Sequence, residues 1–130
     1  MIKFQHIPEV IYPVGSYVLI DGEITKIDDR LYKDIHDWGF KKPEPIKITT
    51  EILQRCGFTN EPDFKPGYSL LTFSSENLTV QVNIKEIDGE EEVWIITIDS
   101  DKWNGNRVHE YLHELQDICF RIGNVKLIYS

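Results

Sequence analysis

Residues 78–85 read Leu78-Thr79-Val80-Gln81-Val82-Asn83-Ile84-Lys85, apolar and polar in strict alternation. Successive side chains of a strand point to opposite faces, so this spacing predicts one buried and one solvated face, as in an antiparallel sheet. Before it, Tyr68 to Phe73 predicts a neighbouring strand that follows a loop from Pro62 to Gly67. After it, Asp88-Gly89 predicts a turn in a loop extended by Glu90 to Glu92. Val93-Trp94-Ile95-Ile96-Thr97-Ile98 is apolar on both faces, which predicts a central strand or one covered on both sides. These three strands form an antiparallel meander.

Further along, Val108, Tyr111, Leu112, Leu115, Ile118, Cys119 and Ile122 recur at helical spacing and predict a long helix from Arg107 to Ile122. Asn106 or Asn104 caps its start and Gly123-Asn124 stops it. Val125 to Tyr129 predicts a short final strand. Upstream, Tyr17 to Ile20 and Glu23 to Ile27 flank Asp21-Gly22, the signature of a hairpin with a type I′ turn. A short helix follows Ile46-Lys47-Ile48, with Thr49 as N-cap, Gly57 just beyond its end, and Ile52, Leu53 and Cys56 on its core face.

Residues 28–45 lose periodicity and predict a long loop with a helical turn around Leu31 to Ile35. Its Tyr32, Trp38 and Phe40 are either a functional surface or a satellite cluster folded back onto the sheet, and we expect the second. The expected fold class is α+β. An antiparallel sheet, made of the N-terminal hairpin and the three-stranded meander, packs against one long C-terminal helix, with one short helix besides. Residues 1–130 are read as a single domain.

The chain has 130 residues, with 14 basic against 22 acidic side chains and a net charge of -8. Phosphate binding is driven by clustered Lys and Arg, so this balance argues against nucleic acid as a partner. The longest apolar stretch, Val93 to Ile98, is far short of a membrane span, and Met1 to Pro8 lacks a signal-peptide core, so a cytoplasmic location and no membrane partner are expected. Cys56 and Cys119 sit in apolar segments and read as small buried hydrophobes. Asn77-Leu78-Thr79 matches a glycosylation acceptor, a pattern of little weight without secretion.

One segment carries a catalytic pattern. His109-Glu110-Tyr111-Leu112-His113 fits H-E-x-x-H, which on a helix places two imidazoles as zinc ligands beside a general base. The third ligand is lacking: no His follows His113, and Glu114 and Asp117 lie on the same predicted helix. A metal-dependent hydrolase using His109 and His113 is therefore the alternative reading, and no cofactor or metal is expected. The same helix sets His113, Gln116 and Phe120, with His109, in a row beside the core stripe. That row lines a pocket or interface, or else the helix is buried over a wider arc with His113 and Gln116 bonded to a loop. We expect burial, with Phe120 set against residues 28–45.

Two stretches resemble a family of small proteins found in Bacteroidetes genomes, prophages and phages. Ile46-Lys47-Ile48-Thr49-Thr50-Glu51-Ile52-Leu53-Gln54-Arg55-Cys56-Gly57-Phe58 is similar to the family's I-P-L-T-E-E-W-L-L-K-F-G-F. Tyr111-Leu112-His113-Glu114-Leu115-Gln116-Asp117-Ile118-Cys119-Phe120 and, loosely, the residues on to Leu127 are similar to its Y-V-H-Q-L-Q-N-L-Y-F-A-L-T-G-E-E-L. The hairpin and meander fall in the family's order, so the resemblance spans most of the chain. It favours His113, Gln116 and Phe120 over His109, which the motif lacks. Lys47 in place of Pro, and Gly123-Asn124 in place of Thr-Gly, are departures. The resemblance implies a mobile-element context and no particular activity. The expected function is that of a non-enzymatic phage or prophage accessory protein binding a host protein or small molecule, with His113, Gln116, Phe120, Trp38 and Tyr32 as candidate binding residues.

Overall fold

The computed structural model describes residues 11–130, and of residues 62–64 the backbone only. The reading of Met1 to Pro8 lies outside the described residues. The chain is α+β, with one two-stranded and one five-stranded antiparallel sheet together with helices. The hairpin is thus a sheet of its own rather than part of the meander. Two compact units divide at Glu44 and Pro45.

In the first unit, β1 (Tyr17–Ile20) pairs with β2 (Glu23–Lys26). Asp21 and Gly22 both take positive φ, +52° and +81°, as a type I′ turn requires. Residues 28–45 are more ordered than a loop. Asp28 Oδ1 accepts from Leu31 N at 2.7 Å and starts α1 (Asp29–Tyr32), which runs on into a π-helical turn at Lys33–Asp37. The reason is burial: Ile35 joins Tyr12, Val18 and Ile27 in a small core, with Ile20, Leu31 and Tyr32 packed on it.

The second unit opens with Ile46 and Ile48, both buried, and α2 (Thr50–Arg55). Thr49 Oγ1 caps α2 by accepting from Ile52 N at 3.2 Å, and Gly57 takes φ +92° beyond its end. The sheet follows in chain order: β3 (Thr59–Lys65), β4 (Tyr68–Ser75), β5 (Leu78–Ile87), β6 (Glu90–Ser100) and β7 (Asn104–Arg107). Where a loop was expected at Pro62, β3 is an edge strand with an irregular register between Glu61 and Lys65, the setting in which a residue without an N–H is tolerated. Glu90 to Glu92 are not loop either, because Asp88 and Gly89, at φ +51° and +81°, close a two-residue turn on Ile87↔Glu90. The alternation at 78–85 holds, with Leu78, Val80, Val82 and Ile84 all buried. β6 is an interior strand, flanked by β5 and β7, as its apolar run led us to expect. The register of β6 shifts opposite Asn83 and Ile84, and Trp94 stands 56% exposed there.

The long helix is shorter than its apolar pattern. α3 spans Leu112–Gly123, and Val108 is exposed outside it. Two competitors take the expected first turns. Asn104–Arg107 pairs with β6, and the turn before it is held by Ser100 Oγ, which accepts from Trp103 N at 2.9 Å. Ile48 N donates to Glu110 O and Leu112 N to Ile46 O, both at 2.8 Å, which keeps 110–112 extended. Leu112, Leu115, Ile118 and Cys119 are buried, and α3 touches β5. Asn124, at φ +53°, ends the helix. Val125 to Tyr129 joins no ladder; its backbone is fixed at the far end, where Ser130 N donates to Arg55 O at 3.0 Å.

Candidate functional site

Each unit carries one of the candidate groups. On α3, His113, Gln116 and Phe120 share a face at i, i+3 and i+7. His113 and Gln116 are half-buried, while Phe120 is 48% exposed, so the expected burial of Phe120 is not met. Its ring lies on the side of α3 away from the buried stripe. The His113 ring stacks on Tyr111, 6.1 Å between centroids. Burial pushes its pKa below the ordinary imidazole value, against the pull of Glu114 and Asp117.

The sign of that shift gives a test. A histidine whose folded pKa is depressed leaves the unfolded chain binding more protons just below about pH 6.5, so stability is full above that value and falls as pH drops through it. Urea unfolding at about pH 7.5 and about pH 6 should show this loss, and His113→Gln should shrink the difference between the two. An undiminished difference in the variant would assign it to other groups.

His109 does not share that face. It precedes α3, and its Nδ1 lies 3.3 Å from Glu114 Oε2, whose other oxygen accepts from Tyr111 N at 3.2 Å. His109 and Glu114 thus brace the helix start. The helical premise of the H-E-x-x-H reading is not met, since three of its five residues lie outside the helix. Among the described residues, no group of three or more His, Cys, Asp or Glu is placed to hold a metal ion. Burial raises the Cys56 thiol to about 11 and the Cys119 thiol to about 12, so both stay protonated and inert at neutral pH.

In the first unit the aromatics part company. Tyr32 packs on the small core and lies 4.6 Å from the His36 ring, as a satellite cluster would have it. Trp38 and Phe40 do not fold back: they are 64% and 74% exposed and stack on each other, 6.1 Å apart and 14° from parallel. Their backbone is pinned. Trp38 N donates to Lys33 O at 3.0 Å and Phe40 N to Asp34 O at 2.8 Å, and Gly39 between them takes φ +67°. No family model, curated protein or solved structure matches the chain.

One feature escaped the reading of the sequence. On the solvated side of the sheet, Lys65 lies 4.9 Å from the Tyr68 ring, and Lys85 lies 5.8 Å from Tyr68 and 5.2 Å from Trp94. These cation–π contacts join β3 to β6 across four strands and brace the sheet. Only the cross-strand register brings them together, and no spacing along the chain encodes it. Among the described residues, no helix is long and apolar enough to cross a membrane.

Proposed function

We propose that this chain is a non-enzymatic accessory protein of the phage or prophage kind, acting by occupying a host protein or small molecule. The observation that carries this reading is the Trp38–Phe40 pair, two stacked rings left in solvent on a backbone fixed by hydrogen bonds. Exposed aromatics lose hydration favourably when covered, and a pre-ordered pair loses little entropy on binding. Trp is also enriched among residues that dominate interface energetics. Phe120 on α3 offers a further exposed ring, with His113 and Gln116 beside it. The hydrolase alternative depends on His109 and His113 sharing a helix face, and His109 lies before the helix.

A Trp38→Ala/Phe40→Ala variant tests the reading. Both rings are exposed, so stability should change by no more than about 0.5 kcal/mol. Pull-down from host lysate should lose the species that the wild-type chain retains. Unchanged retention would remove Trp38 and Phe40 from the binding surface, and a large stability loss would make them structural.

A further inference from the structure

We propose that the Trp38–Phe40 tip recognises an acidic peptide segment carrying a proline or aromatic anchor, an inference that rests on the binding role given to these rings above. Lys41 and Lys42 follow Phe40 directly, and both are exposed. They are the only two adjacent cations in a chain whose net charge is -8. Among the described residues, neither takes part in any of the ion pairs, which are confined to Glu51, Arg55, His109, Glu114, Asp117 and Arg121. Two adjacent exposed lysines, set beside uncovered rings, are complementary to carboxylates next to an apolar group.

The geometry fits the anchor. Two nearly parallel rings form one slab, whose outer surface accepts another flat ring by stacking or a proline by apolar contact. The hydrogen bonds of Trp38 N, Phe40 N and Lys41 N onto the carbonyls of Lys33 and Asp34 hold the slab and the first lysine on one rigid turn. Asp34 and Asp37 precede the rings in sequence, and Lys41 and Lys42 follow them. Two other anionic partners fit less well. An anionic bilayer repels a chain of this net charge, and two lysines neutralise too few phosphates to hold a nucleic acid.

The test pans a random peptide library displayed on phage against the whole chain, with the Trp38→Ala/Phe40→Ala variant as counter-screen. Expected are enriched sequences that combine Asp or Glu with Pro, Tyr, Phe or Trp. A synthetic copy of the strongest should bind about tenfold or more weakly to a Lys41→Glu/Lys42→Glu variant, and less tightly as salt rises. Enriched peptides without acidic residues, an affinity indifferent to the charge reversal, or no enrichment over the counter-screen would each overturn the inference. So would Trp38-dependent sedimentation of the chain with vesicles of phosphatidylcholine and phosphatidylglycerol, which would assign the tip to a lipid surface. The two readings fail separately. Lysate retention that depends on Trp38 but not on the lysines leaves the binding role standing and removes the acidic partner, while retention indifferent to the ring variant removes the role itself.

Discussion

Replacing Leu115 by Ala should lower the free energy of unfolding by about 2–5 kcal/mol, the usual cost of truncating a fully buried leucine. Leu115 is entirely inaccessible at the middle of α3, between Leu112 on one side and Ile118 and Cys119 on the other. The loss combines the transfer of the removed carbons with the void they leave, and a single domain has only about 5–15 kcal/mol to lose. Chemical denaturation of the variant measures it. A loss below about 1 kcal/mol would place the wrong face of α3 inward.

Gly123→Ala carries the second large effect, and its sign is opposite to what helix propensity alone implies. In an exposed helix, alanine in place of glycine gains about 1 kcal/mol. At Gly123 a Cβ would stand 2.8 Å from both Cβ and Cδ2 of Leu78, a residue that is itself buried at the start of β5. Cβ belongs to the root of the leucine and cannot swing aside, so the backbone must shift, and overpacking of this kind costs about 1–3 kcal/mol. The variant should therefore unfold more easily than the wild type. Added to a Leu78→Ala background, the same change should cost less, because the obstructing side chain is gone. A stabilised Gly123→Ala would mean that the end of α3 does not sit on β5.

Gly123 also shows where the sequence was legible and where it was not. Its place near the helix end could be read from the chain, but its reason, close approach to a leucine 45 positions earlier, could not. The alternation at Leu78 to Lys85 and the Asp-Gly turns were decisive because each is a local rule with a local cause. The start of α3 misled for the converse reason. Val108 and Tyr111 keep the helical spacing, yet strand pairing at Asn104–Arg107 and the bonds from Ile46 and Ile48 claim that backbone first. Asn104-Gly105-Asn106-Arg107 has poor strand propensity, and only the turn at Ser100 delivers it to β6. At the candidate sites, residue types pointed to Trp38 and Phe120, while their exposure depended on which neighbours cover them. That is a tertiary fact with no periodic signature.

The strand order of the larger sheet bears on how the chain reaches its folded state. Every neighbour in that sheet is also a neighbour in sequence, so each pairing closes a short connection rather than a long one. Loop-closure entropy is then met in small steps, and such a sheet can zip from one hairpin to the next faster than sheets of crossed topology. The contacts of Ser130 with Arg55, 75 positions apart, belong to the other extreme. Closing so long a loop before the sheet is in place is entropically costly, so loosening these contacts should accelerate unfolding and leave the folding rate nearly untouched.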